Sequence, residues 1–304
     1  MGTPDFAVAS LDALVKAGCH IVGVITAPDK PAGRGMKLTE SAVKKYAVEK
    51  GLHLLQPERL KNPAFIEELR ALKADLQIVV AFRMLPELVW RMPPMGTVNL
   101  HGSLLPQYRG AAPIHWAVIN GETTTGVTTF KLQHEIDTGG ILMQESFPVG
   151  EDETTGEVHD RMKEIGAAVL VKTVKGLADH SVKEIDQSML LQQPVVLHHA
   201  PKIFTETCRI NWHNSINSIH NLIRGLSPFP GALASLDNKT LKIFRSGKEL
   251  DAPHHSPGTV LSDGKTYLKF ACADGYIHVL DLQLEGKKRM LTADFLRGYR
   301  VLSV

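Results

Sequence analysis

Over residues 1–181, short β-branched apolar runs alternate with amphipathic stretches. This is the pattern of βαβ units around a mostly parallel sheet. The alternation predicts strands over 20–25, 77–82, 97–101, 127–132 and 141–147. Helix ends are readable between them: Thr3-Pro4 opens one helix and Gly18 closes it, Asn62-Pro63 opens another, and a Thr154-x-x-Glu157 capping box opens a long one running to Asp179.

From 182 to 207 the periodicity fades, and a linker is expected there. A single amphipathic helix follows over 214–224, then the Pro/Gly-rich turn Ser227-Pro-Phe-Pro-Gly231. Short strands at 241–244, 258–261, 267–271 and 277–284, separated by turn residues, predict a small barrel. The organisation read from the pattern is therefore an α/β domain over 1–181, a linker over 182–207 and a β-rich domain over 208–304. A sheet of the first kind ordinarily begins with a strand feeding its first helix, whereas this chain opens directly on the turn Met1-Gly2-Thr3-Pro4. The expectation is a sheet lacking its first strand, with Met1 an internal methionine of a truncated start.

Composition narrows the class. Apolar residues make up 43% and charged residues 22% of 304, ordinary for a folded soluble protein. No apolar run approaches the about 18 residues a bilayer span requires, and no secretory leader is visible, so the expectation is a cytoplasmic protein without a membrane partner. Cys19, Cys208 and Cys272 are far apart and suggest neither a disulfide framework nor a zinc knuckle. Net charge is only +2, but from residue 206 onward there are 13 Lys and Arg against 9 Asp and Glu, a mildly basic surplus that fits a phosphate-bearing partner.

Candidate chemistry is densest over 97–113. Strand alternation places Asn99 and His101 on one face, just before Gly102 breaks the strand. An amide donor and a titratable base thus point together from the carboxyl end of a strand, where open α/β sheets place ligands. Another polar turn, His134-Glu-Ile-Asp-Thr-Gly-Gly140, leaves an apolar strand, and its Asp137 is suited to orient His101. The pairs His198/His199 and His254/His255 diverge in extended chain and lack further ligands at metal spacing, so no metal site is expected. Gly33-Arg-Gly35 lacks the remaining glycine of a dinucleotide fingerprint. The loop from Pro28 to Leu38 carries Lys30, Arg34 and Lys37 against Asp29 alone; it is either a solvated loop or a wedge for a polyanion.

The motifs Gly2-Thr-Pro-Asp-Phe6, Pro31-Ala-Gly-Arg-Gly35, Asn99-Leu-His-Gly-Ser-Leu-Leu-Pro106, Arg109-Gly-Ala-Ala-Pro113, Asp137-Thr-Gly139 and Ser227-Pro-Phe-Pro-Gly231 occur in the order and spacing of the methionyl-tRNA formyltransferase family, which the chain resembles over nearly its whole length. The resemblance implies a Rossmann-like formyltransferase domain followed by an OB-like β-barrel that tracks tRNA. It implies formyl transfer from 10-formyltetrahydrofolate to initiator methionyl-tRNA, without metal, by a monomer. By the same resemblance His101 is the general acid/base, Asn99 the oxyanion donor and Asp137 the support of the imidazole. Ser103, Leu104, Leu105, Pro106, Phe82 and Met84 would line the folate site, and Lys30, Arg34, Lys37, Lys287 and Lys288 would meet tRNA. The stretch departs from the family pattern at Arg83, and family members carry an apolar strand ahead of Gly2. A sister enzyme formylating an amino sugar or glycinamide ribonucleotide, or a non-catalytic tRNA-binding protein, shares parts of the pattern.

Overall fold

The structure, a computed structural model, describes residues 1–32, 37–190, 196–252 and 254–301. It divides into two compact units: 1–110, 126–147 and 159–198 form the first, and 111–125, 148–158 and 199–304 the second. In chain order the elements are α1 (Asp5–Lys16), β1 (Val24–Ile25), β2 (Lys30–Ala32), β3 (Lys37–Thr39), α2 (Ala42–Glu49), β4 (Leu54–Leu55), α3 (Pro63–Ala71), β5 (Gln77–Val80), α4 (Glu87–Trp90), β6 (Thr97–His101) and β7 (Arg109–Gly110). Then come α5 (Pro113–Ile119), β8 (Thr124–Lys131), β9 (Ile141–Pro148), α6 (Thr155–Ala178), a 3-10 turn (Gln187–Leu190), β10 (His199–Ala200) and α7 (Ile216–Gly225). The chain finishes with β11 (Ala232–Leu236), β12 (Lys239–Glu249), β13 (Val260–Ser262), β14 (Leu268–Ala271), β15 (Tyr276–Leu284), β16 (Met290–Leu291) and α8 (Thr292–Arg297).

In the first unit a four-stranded sheet runs β5-β6-β8-β9. β5 and β6 are parallel, with Val79 opposite Asn99, while β8 runs antiparallel to β6 and sets Phe130 opposite Asn99 and Thr128 opposite His101. β5 stops at Val80, short of the expected 82, because Ala81 takes a positive φ of 47° that no strand accommodates. β1 pairs parallel with β4. Between β1 and β5 the chain's first two residues act as a strand stub: Gly2 N–H donates to Ile25 O (3.1 Å), Val80 N–H donates to Met1 O (2.9 Å), and Gly2 bridges Val80 in parallel. A side chain at position 2 would place Cβ 2.4 Å from that of Ala7, so this close approach of α1 to the sheet requires glycine. Beside the stub runs a cleft of about 130 Å³ lined by apolar side chains including Leu14, Val22, Leu72 and Ile78. Residues 20–23 face it, and of the expected strand 20–25 only Val24 and Ile25 are laddered.

The helix ends follow their residues. Asn62 Oδ1 accepts from Ala64 N–H at 3.0 Å ahead of α3. At α6 the expected reciprocal box forms, with Thr154 N–H donating to Glu157 Oε2 (2.8 Å) and Glu157 N–H to Thr154 Oγ1 (3.4 Å). Such a cap is worth about 1 kcal/mol.

In the second unit, six strands are ordered β11-β12-β15-β14-β13, with β16 alongside β15, and every pairing is antiparallel. Register shifts around Arg245 let β12 bend, so the sheet curls as a half-barrel and the expected strand 241–244 extends over 239–249. Its concave core is filled by Ile216, Ile219 and Ile223 of α7, at the three- and four-residue spacing of one helical face, against Leu241, Ile243, Phe270 and Ile277, all buried. α5, which follows β7 in sequence, belongs to this unit.

α7 also carries two buried polar groups. Arg224 donates to Glu153 O (3.0 Å) and Asn221 Oδ1 (2.8 Å). His220 Nδ1 lies 3.0 Å from Ser246 Oγ, and Asp152 Oδ1 lies 3.1 Å from Nε2 but too far off the N–H direction for a hydrogen bond. Burial lowers the His220 pKa below its ordinary 6.5, a shift opposed by Asp152 and reinforced by Lys248 and Arg224. Below pH 6.5 the unfolded chain therefore binds a proton that the folded ring resists. The His220 contribution to stability is complete above pH 6.5 and declines as pH falls from there toward the folded-state value, by at most about 1.4 kcal/mol per pH unit. His220→Asn, which does not titrate, should flatten that decline in urea unfolding between pH 7.5 and 5. Parallel curves for the two proteins would refute it.

Candidate active site

β6 is the strand that brings chemistry together. Val98 and Leu100 point into one buried face, which leaves Asn99 and His101 on the other at the strand's carboxyl end. His101 is 6% exposed, and its Nε2 lies 2.9 Å from the Tyr108 carbonyl oxygen. A carbonyl only accepts, so Nε2 carries the hydrogen and Nδ1 is the lone-pair nitrogen of the neutral ring. Phe130 meets the imidazole edge-on at 6.4 Å between centroids.

Tyr108 presents that carbonyl from an unusual backbone, with φ +61°. Its own N–H donates to His198 O (2.7 Å), and its ring stacks on the His198 imidazole at 5.7 Å. Gln107 next to it donates to Val196 O (3.0 Å) and accepts from His198 N–H (2.9 Å). Segment 196–198 thereby holds the turn that fixes His101.

Asp137 arrives from the β8–β9 connection, also at positive φ, 56°. Its Oδ2 accepts from Gly110 N–H (2.9 Å) and lies 3.9 Å from His101 Nδ1. That separation is too long for a hydrogen bond and short enough for strong attraction once Nδ1 is protonated. Both side chains are nearly buried, 7% and 11% exposed, which limits screening by water. The connection folds back so tightly that a Cβ at Gly139 would fall 1.7 Å from Lys131 O. Among the described residues no hydrogen-bond partner engages the half-buried Asn99 amide. The cluster thus offers a base with one free nitrogen, a carboxylate behind it and a free amide donor beside it. This set suits a reaction that moves one proton and develops one negative oxygen.

The segment after β6 is held from inside. The Thr128 hydroxyl donates to Ser103 O (2.7 Å) and accepts from Leu105 N–H (3.1 Å) and Gln144 Nε2 (2.9 Å). The Ser103 hydroxyl donates to Gln107 O (2.6 Å), and Leu105 packs with Phe130 and Ile141. Ser103, Leu105 and Pro106, expected with Leu104 to line a ligand site, are buried and serve the frame of this turn, whereas Leu104 is half-buried. Phe82 packs partly against the core beneath β5, and Met84 is 76% exposed. β5 and β6 end side by side, which brings the residues after Val80 to the same end of the sheet as His101.

Lys30 is exposed on β2, which pairs antiparallel with β3, where Lys37 is the first residue. The expected loop 28–38 therefore has a laddered base, and Arg34 lies outside the described residues. Lys287 and Lys288 are exposed in the second unit, on the turn between β15 and β16. Asp5, His159 and Asp160 converge within 4.8 Å, but Lys163 already supplies their cation, 3.7 Å from Asp5 and 3.4 Å from Asp160. Sequence reasoning missed the Tyr108 carbonyl, the Gly110 amide and the Gln187 side chain. The first two lie in a motif it did single out; Gln187, inside the supposed linker, carries no local signal.

Comparison with known proteins gives this geometry a family. Residues 1–174 match the formyl transferase family model and 202–300 match the model for the formyl transferase C-terminal domain. The chain belongs to the formyl transferase family. It is 54% identical to the methionyl-tRNA formyltransferase of Bacteroides thetaiotaomicron over 308 residues, covering 99% of this chain and 95% of that protein. With the methionyl-tRNA formyltransferase of Phocaeicola vulgatus the identity is 56% over 306 residues, 99% and 94% covered. The N-formyltransferase of Helicobacter canadensis, solved with folinic acid and dTDP-3-aminofucose, shares the fold at a TM-score of 0.69 and 20% identity, covering 91% of this chain and 96% of that one.

The frame around Thr128 can be tested directly. Thr128→Val keeps the shape but takes the hydroxyl from the Leu105 N–H and the Ser103 carbonyl, while Gln144 keeps its bond to Leu105 O. Urea unfolding should show a loss of about 1–3 kcal/mol. An unchanged midpoint would mean that the hydroxyl does not hold the turn.

Proposed function

We propose that this chain transfers the formyl group of 10-formyltetrahydrofolate to the α-amino group of initiator methionyl-tRNA, and that Asn99, His101 and Asp137 carry the chemistry. The observation that carries the mechanistic reading is the free Nδ1 of His101, facing Asp137 at 3.9 Å with its other nitrogen already bonded. Methionyl-tRNA formyltransferases more than half identical over nearly full length support the acceptor.

The amine attacks the formyl carbon, a new C–N bond forms, and the carbonyl electron pair moves onto oxygen. The Asn99 amide donates to that oxygen. His101 Nδ1 takes the proton the amine must shed, and Asp137 stabilises the imidazolium. Collapse of the tetrahedral species breaks the bond to the folate nitrogen, which leaves with the proton returned by His101. The general base is worth about 10²–10⁴ in rate and the oxyanion donor about 10²–10³.

In this reading the pterin lies near Phe82, Met84 and Leu104 at the strand ends. Lys30, Arg34 and Lys37 approach the acceptor end of the tRNA, and Lys287 and Lys288 meet its phosphates. All three catalytic side chains come from one chain, so the reading needs no second copy, and its substrates place it in the cytoplasm. Among the described residues no helix is long and apolar enough to cross a membrane.

The purified protein, given labelled 10-formyltetrahydrofolate, should label methionyl-tRNA and leave glycinamide ribonucleotide and an amino-sugar nucleotide unlabelled; labelling of either alternative instead of tRNA would overturn the acceptor. His101→Ala and Asp137→Asn should each lower kcat by about 10²–10⁴ while tRNA affinity stays within a few-fold. Near wild-type turnover in either would remove the mechanism. Neutralising Lys287 and Lys288 together should reduce the slope of log affinity against log salt by about 1–2. An unchanged slope would place the phosphate contacts elsewhere.

A further inference from the structure

Gln187 sits in the 3-10 turn after α6, 3% exposed, and uses every hydrogen-bonding position of its amide. Its Nε2 donates to the backbone carbonyls of Asp137 and Gly139, both at 2.8 Å. Its Oε1 accepts from Arg109 Nε (3.1 Å) and Nη2 (2.5 Å). The next residue after Arg109 is Gly110, whose N–H binds the Asp137 carboxylate. One side chain thus holds Asp137 from two sides: directly through its carbonyl, and through Arg109 at the base of the amide that its carboxylate accepts from. Independently, Ile185 and Ile141 exchange both backbone hydrogen bonds at 2.8 Å, which anchors the turn to the start of β9.

Asp137 needs such a hold. A non-glycine residue at positive φ costs about 1–3 kcal/mol and persists only where its surroundings over-determine it. Asp137 forms no direct hydrogen bond to His101, so the distance between them depends on where the surrounding loop is fixed. We infer that Gln187 is a positioning residue for formyl transfer, setting the Asp137 carboxylate at working distance from His101 without touching either substrate. The inference rests on the reading of Asp137 and His101 given above. It makes the segment 182–190 part of the catalytic apparatus, beyond a tether.

Two variants of the full-length protein separate this role from simple scaffolding. Gln187→Glu keeps acceptors for Arg109 and sets a carboxylate against the two loop carbonyls; Gln187→Met keeps the volume and removes all four bonds. With rates normalised to folded protein, both should lower kcat about 10-fold or more and leave KM for methionyl-tRNA and 10-formyltetrahydrofolate within about 2-fold, the signature of an interaction that matters in the transition state. In an Asp137→Asn background, where the carboxylate is already gone, adding Gln187→Glu should change the residual single-turnover rate less than 2-fold. Wild-type kcat in both single variants, a rise in KM matching any fall in kcat/KM, or a full additional loss in the Asp137→Asn background would each overturn the positioning role. Wild-type turnover of Asp137→Asn alone would instead overturn the catalytic reading on which it rests.

Discussion

The hydrogen bond between His101 Nε2 and the Tyr108 carbonyl decides what this site can do. It fixes the neutral tautomer, turns Nδ1 toward Asp137 and holds the ring in a nearly dry position. The carbonyl points that way because Tyr108 adopts a left-handed backbone, an arrangement costing about 1–3 kcal/mol. Its bond to His198 O, the stacking of the two rings and the double contact from Gln107 offset that cost, each hydrogen bond contributing about 1 kcal/mol. Asp137 is a second left-handed residue, held by Gly110 and Gln187. The two supports of one imidazole are thus both strained positions, each stabilised by chain far away in sequence.

The sheet explains why the cluster forms where it does. β6 has a parallel neighbour on one side and an antiparallel one on the other. Its carboxyl end is where β5 finishes and where β8 begins to run back, so Thr128 lies opposite His101 and its hydroxyl can reach the turn that follows β6. A polar residue buried on the neighbouring strand serves the turn, and the turn in its final residue serves the imidazole. Replacing any link with an apolar side chain leaves a backbone N–H or carbonyl unsatisfied in the interior, which costs more than the hydrogen bond itself contributes.

Much of this was legible in the chain, for reasons that can be traced to particular residues. Alternation over 97–101 shows which side chains of β6 share a face, the Thr154/Glu157 box marks the start of α6, and the apolar spacing of 216, 219 and 223 marks α7. These are local signals, and the local energetics were not overridden. The failures are all tertiary. The strand expected at 20–25 is laddered over two residues, because laddering depends on what lies beside it. The backbone of Ser103 and Leu105 is held by Thr128, and Leu105 packs on Phe130 and Ile141, partners that no window around residue 104 contains. Gln187 lies where periodicity fades, and a single glutamine there is indistinguishable from a solvated linker residue until Asp137 and Arg109 are seen around it.

The basic surplus of the C-terminal half is likewise less than its sum suggests. Arg245 and Lys248 pair with Glu157 and Glu151 from the segment 148–158, Lys269 with Glu249, Arg289 with Asp281 and Arg297 with Asp294. Each of these cations is neutralised locally and would give up an existing partner to meet a phosphate. Lys239 and Lys287 instead lie over the ring of Tyr299, at 6.0 and 5.8 Å from its centroid, and Lys288 follows Lys287 in sequence. A ring face attracts an ammonium without cancelling its charge. Net charge therefore overstates what this domain offers a polyanion, because the placement of individual cations, paired or unpaired, decides how much of it is available.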